Sequence, residues 1–380
     1  MTGPLHGLSI VELAALGPAP FCGMVLADLG ADVVKVDRAD TVTGGHTSST
    51  RNDLMRRGKR SIGVDLKHEE GARVVLRLLA GADALIEGFR PGVTERLGIG
   101  PAQCLARNPA LVYGRMTGWG QDGPLSGRAG HDIDYIALSG ALAAIGPDET
   151  PLPPLNLVGD FGGGGMFLAV GLLAAVLHAR ETGEGQVVDA AMVEGSALLT
   201  TAMHGHIAEG WWAPRREANL LDGGAPFYAV YETADGGHIA VGALEPQFFA
   251  ALLEGLGIDQ ESLPAQGDRE GWPTIKVALA AKFASRSRDE WAEQFAAIDA
   301  CVAPVLDATE APGHPHNMAR QVFIDLDGVT QPAPGPRFSV TPVPAPSGPG
   351  YPGKDTDFVL KTLGYSETET SMLRRVGAVA

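Results

Sequence analysis

The triplet Gly130-His131-Asp132 and the later run Asn156-Leu157-Val158-Gly159-Asp160 present one imidazole and one carboxylate, each at the end of a small-residue turn. Such a pair can move a proton on and off a carbon. One group takes the proton from one face, and the conjugate acid of the other returns it to the opposite face. Each residue also has a plainer reading. A lone histidine is more often structural than catalytic, and Asp is favoured in turns and at helix N-caps. Asp160 leads into Phe161-Gly162-Gly163-Gly164-Gly165, with a helix expected from Met166. Four consecutive glycines would let a substrate approach the backbone closely. Amides at the following helix start could hold a developing oxyanion. Glu245, before Pro246, reads as an ordinary strand-exit residue. The pairs His204-Gly205-His206 and His314-Pro315-His316 lack carboxylate or cysteine neighbours at metal-ligand spacing, so no metal is expected.

These groups need a scaffold. Leu8–Leu13, Asp32–Val36, Ser61–Val64, Ala84–Glu87, Ala110–Tyr113 and Val187–Ala191 read as buried strands, with helical stretches such as Cys22–Leu29 and Gly71–Leu79 between the earlier ones. That alternation implies an α/β fold, a Rossmann-like doubly wound large domain. The turn after the first strand reads Gly17-Pro18-Ala19-Pro20, and its prolines remove amides that a dinucleotide pyrophosphate would need. A nicotinamide enzyme is therefore not expected. Arg38 follows the second strand at the edge where ligands of such sheets sit. The run Arg56-Arg57-Gly58-Lys59-Arg60 reads equally as a solvated face or as an anion contact.

The expected organisation is a large domain over 1–200, a linker over 201–225, a small α+β domain over 226–330, and a return segment over 331–380. The small domain would hold a hairpin around Asp235-Gly236-Gly237 and helices over Gln247–Leu256, Trp272–Phe283 and Arg288–Ala297. Pro332–Pro352 should be extended, and Ser366–Glu369 should open the last helix with a capping box. Met166–Leu177 reads as a buried helix too short to cross a bilayer. A net charge of −16 argues against a nucleic-acid partner. Cys22, Cys104 and Cys301, in no metal or redox spacing, read as reduced, buried thiols. With no signal-peptide pattern at the N-terminus, a cytoplasmic protein without a membrane partner is expected.

With these motifs in view, the chain resembles the family III CoA-transferase superfamily, and within it the branch that racemises 2-methylacyl-CoA thioesters. The resemblance implies that His131 and Asp160 are the two α-carbon bases. It implies that Glu245 hydrogen-bonds the catalytic imidazole, with Asp132 in a supporting role. It assigns CoA binding to Arg38, to Val64, Asp65, Leu66 and Lys67, to Gly88, Phe89 and Arg90, to Arg96, and to Gly130, Asp134 and Tyr135. Met116, Met166 and Met192 read as core or as the lining of an acyl pocket. CoA would be part of the substrate, with no cofactor, and the fold would be completed as an interlocked homodimer. The transferase branch usually lacks this histidine and uses the matching aspartate as a nucleophile. The alternative activity is therefore CoA transfer through an acyl anhydride on Asp160.

Overall fold

Short runs of Val, Ile, Leu and Ala become six parallel strands: β1 (Ser9–Leu13), β2 (Asp32–Arg38), β3 (Arg60–Val64), β4 (Ala84–Glu87), β5 (Val112–Thr117) and β6 (Val187–Ala191). They lie in the order β3-β2-β1-β4-β5-β6. Ile10 of β1 is in register with Val33 on one side and Ala84 on the other. This is the doubly wound order anticipated from the sequence, reversing direction between β1 and β4. Both faces of the sheet are covered, so most strand residues are buried apolar ones rather than alternating. The protein is described by a computed structural model covering residues 3–42 and 44–380.

Helix α1 (Pro18–Asp28) starts before the expected Cys22. Its prolines sit in the first turn, where the missing amides would have lacked helical partners anyway. Helices α2 (Glu69–Leu79), α3 (Pro101–Arg107) and α4 (Asp132–Leu138) follow. Next comes a π-helix over Leu157–Met166 that runs directly into α5 (Phe167–Thr182), and then α6 (Met192–Leu199) after β6. The π-helix and α5 together are long and apolar enough to cross a membrane, unlike the shorter stretch read from the sequence. Leu168, Leu172, Ala175 and Val176 nevertheless pack in the core of the sheet, while Met166, Val170 and Leu177 are exposed.

The chain divides into two units, and the boundaries differ from those expected. Residues 140–154 and 200–319 form the second unit, and the rest forms the first. The expected linker begins with helix α7 (Thr201–Ala208). The second unit carries the anticipated hairpin, β7 (Tyr228–Glu232) with β8 (His238–Gly242), closed by Gly236 at φ 77°. A short strand, β9 (Val302–Pro304), pairs with β8. Helices α8 (Pro246–Leu256), α9 (Trp272–Phe283) and α10 (Arg288–Phe295) close over Phe227, Tyr231 and Ile239. This unit ends at Ala319 rather than 330. A hairpin the sequence did not announce, β10 (Phe323–Leu326) with β11 (Val329–Pro332), belongs to the first unit.

Beyond Pro332 the proline-rich segment carries neither helix nor strand until α11 (Thr356–Thr362) and α12 (Glu367–Arg375). The Ser366–Glu369 capping box is formed as expected. The last residues then return to the sheet edge. Ala380 donates its N–H to Gly63, Asp65 donates to Ala378, and Val379 bridges Val64.

Candidate active site

The sheet reverses direction between β1 and β4, and the loops leaving those strands open a crevice there, the place where such folds bind ligands. A cavity of about 270 Å³ occupies it, lined by Leu16 and Pro18 after β1, Gly88, Phe89 and Arg90 after β4, and His131. Met116 and Met192 also line it, whereas Met166 does not. A second cavity of about 530 Å³ lies along the ends of β2 and β3, lined by Arg38, Val64, Asp65, Leu66, Lys67 and Phe89. Phe89 belongs to both walls, so the two cavities adjoin. Arg96 lines a third hollow together with Leu66 and Lys67.

His131 is the N-cap of α4, with extended backbone (φ −134°, ψ 171°). Its N–H donates to the Asp134 carboxylate at 2.9 Å, so the predicted CoA contact Asp134 acts in this structure as a helix cap. Tyr135, another predicted contact, is buried; its hydroxyl donates to the Gly130 carbonyl at 2.5 Å and its ring meets Trp119 edge-on. Burial pushes the Tyr135 hydroxyl up to about 12. These contacts fix the backbone on which the imidazole stands.

Asp160 lies inside the π-helix, not at a turn or cap. Because that helix continues into α5, the free amides expected near Met166 are not available. The glycine run has a different use from substrate approach. A Cβ on Gly163 would lie 2.6 Å from the Ser196 nitrogen on α6, and one on Gly164 would lie 2.9 Å from Pro18 on α1. The glycines therefore let three helices meet at backbone distance. The Asp160 carboxylate accepts from Asn156 at 3.2 Å, and a Cβ on Gly17 would sit 3.0 Å from its Oδ2. Burial raises the proton affinity of Asp160. The Asn156 hydrogen bond opposes this, the Asp132 charge adds to it, and His131 lowers it.

Arg38 is exposed and forks onto Asp40 at 2.9 and 2.5 Å. The basic run Arg56–Arg60 follows neither of its expected readings. Arg56 pairs with Asp37, Arg57 with Asp28, and Lys59 with Glu12, all buried. Lys35 joins Glu12 from the other side at 2.6 Å. Only the partly exposed Arg60, paired with Asp32, keeps a surface character. Glu245 is the exposed N-cap of α8 and belongs to the second unit, apart from the unit that brings His131 and Asp160 together. Cys22 and Cys104 are buried as expected, but Cys301 is exposed.

A profile of CoA-transferase family III matches residues 5–356. The chain is 47% identical to alpha-methylacyl-CoA racemase of Mus musculus, covering 97% of this chain and 96% of the relative. It is 44% identical to the Homo sapiens racemase of the same name, covering 97% and 96%. Its fold is similar to the crystal structure of a CAIB/BAIF family protein from Brucella suis, with a TM-score of 0.82 at 26% identity over 96% of this chain and 100% of that one.

Proposed function

We propose, from the premise that the chain belongs to CoA-transferase family III, that it interconverts the (2R) and (2S) epimers of 2-methylacyl-CoA thioesters. One observation carries the chemistry. The His131 imidazole lines the crevice at the sheet's switch point, and the Asp160 carboxyl, half-buried and with raised proton affinity, stands in the same unit against Gly17, between the lining residues Leu16 and Pro18, without itself lining the wall. His131 takes the α-proton of one epimer, and the electron pair of the C–H bond passes into the thioester as an enolate. Asp160, carrying a proton, returns one from the opposite face, and the roles reverse for the other epimer. The cavity beyond Phe89, with Arg38 and Lys67 on its wall, suits the phosphorylated end of CoA. Gly88 and Arg90 line the crevice on the side of Phe89, and Arg96 lines the hollow next to the second cavity, with Leu66 and Lys67 common to both. On the family pattern, Glu245 of the partner subunit in the proposed dimer is the residue that holds the imidazole tautomer.

The working unit is proposed to be a homodimer. Supporting it, apolar side chains such as Leu138, Val170, Leu177 and Leu198 stand exposed on the first unit. Sedimentation should give twice the chain mass of 39.5 kDa. A single-chain mass at micromolar concentration would remove the dimer from this reading. A cytoplasmic setting is proposed alongside, supported by the buried free thiols of Cys22 and Cys104.

The test of the reaction is NMR of a 2-methylacyl-CoA incubated with the protein in D2O. α-Deuterium and both epimers should appear with no acceptor acid present. CoA transfer to an added carboxylic acid, without exchange in its absence, would instead establish the transferase chemistry.

A further inference from the structure

Resting on that reading, we propose that the Asp132 side chain is a positioning residue for Asp160, gripping its backbone and setting a second, buried carboxylate close to it. Asp132 is the first residue of α4, and its side chain turns away from solvent. Its Oδ1 accepts the Asp160 N–H at 2.6 Å. Gly159, just before Asp160, lies so close that any Cβ there would overlap Asp132 Oδ1. The helix cap that carries His131 and the π-helix that carries Asp160 are therefore joined by one carboxylate, adjacent in sequence to His131 and bonded to the Asp160 backbone.

The other oxygen, Oδ2, is buried and makes no hydrogen bond among the described residues. A group needed only to anchor an amide would not require a charge. Asparagine offers the same acceptor without burying an under-solvated carboxylate, which is costly. What asparagine lacks is the negative charge. That charge lies beside a second carboxyl, and neighbouring carboxyls hold a proton more tightly. Few other ionisable groups face Asp160. His131 and Tyr135 come from α4 and its cap, and Tyr135 itself feels the Asp160 charge. Gly17, the N-cap of α1, lies against the Asp160 carboxyl, while Pro18 and Phe21 of α1 meet Gly164, Gly165 and Phe161 of the same π-helix. On α6 the buried groups against the glycine run are Gly195 and Ser196, while Glu194 is exposed.

The protons balance in this arrangement. Neutral His131 removes the α-proton and becomes imidazolium. Protonated Asp160 re-forms the C–H bond on the other face and becomes carboxylate. One proton is held by the pair before and after, and no co-reactant is consumed. An aspartate at its ordinary proton affinity would rarely hold that proton at neutral pH. Asp132 raises the fraction that does.

The experiment compares Asp132→Asn and Asp132→Ala, with folding checked by thermal melting. In Asp132→Asn the acid limb of kcat/KM should move down by about one pH unit, because the like charge is gone while the Asp160 N–H keeps an acceptor. At pH 7 kcat should fall about tenfold, with KM within about twofold. Asp132→Ala should show the same limb and a further loss of kcat from the freed backbone. An Asp132→Asn limb coincident with wild type would overturn the electrostatic role. Equal kcat for the two variants would overturn the grip. Carboxyl 13C NMR titration, with Asp160 assigned by Asp160→Asn, reads the same proton affinity without turnover. Failure of wild-type α-exchange would count against the racemase reading, whereas an unmoved Asp160 titration in Asp132→Asn counts against this inference.

Discussion

His131 and Asp160 differ in their access to water: the imidazole is exposed at a helix cap, while the carboxyl is half-buried in the π-helix. A two-base mechanism needs both, so His131→Ala and Asp160→Ala should each slow α-deuterium exchange by about a hundredfold or more while melting like wild type. Normal turnover in Asp160→Ala would reduce that residue to a packing element. Arg38 makes a different demand. Its guanidinium is engaged by Asp40, so a phosphate must compete for it. Arg38→Ala should raise KM for acyl-CoA several-fold, on the order of tenfold, and leave kcat nearly unchanged, since the contact is remote from the reacting carbon. Steady-state kinetics that showed the reverse split would contradict the placement.

At the scale of elements, the tightest constraint is the meeting of the π-helix with α6 and α1. A Cβ on Gly195 would overlap the Gly163 carbonyl oxygen, a backbone atom that cannot swing aside. Gly195→Ala should therefore lower stability by about 1–3 kcal/mol, seen as a lower urea midpoint. A midpoint equal to wild type would show that the helices can separate without loss. The sequence did not reveal this junction. Four glycines are poor helix formers, so Phe161–Gly165 reads as a loop. Their helical state comes from contacts with Ser196 and Pro18, which lie far away in the chain. The strands were legible because each is a short apolar run, and His131 was legible as a residue just ahead of a helix. The buried pairs of Arg56, Arg57 and Lys59 were not, because a basic run in sequence does not name its partners, which lie on β2, α1 and β1. The grouping of residues 140–154 with 200–319 was likewise not legible, since nothing in their composition marks the excursion.

Across the whole molecule, the first unit is held by charges as well as by its core. Glu12 sits between Lys35 and Lys59 with no exposure. Burial works against its charge, but the two ammonium groups hold its carboxyl below the ordinary 4.5. The stability it contributes is thus complete above pH 4.5 and lost as the pH falls through its lower folded value. Glu12→Gln leaves two buried cations short of a partner and should destabilise by about 3–5 kcal/mol at pH 7, with a smaller difference from wild type in acid. Denaturant titrations at pH 7 and pH 3 giving the same difference would refute this assignment. The return of Val379 and Ala380 to β3 has a consequence for biosynthesis. The outer strand of the sheet is complete early in translation, but the segment that covers its free edge emerges from the ribosome only after the entire second unit. Throughout that interval the nascent chain carries an open, β-rich border able to pair with a neighbour on the same messenger, so the window for chaperone capture is set by the length of chain between Val64 and Val379, the second unit included.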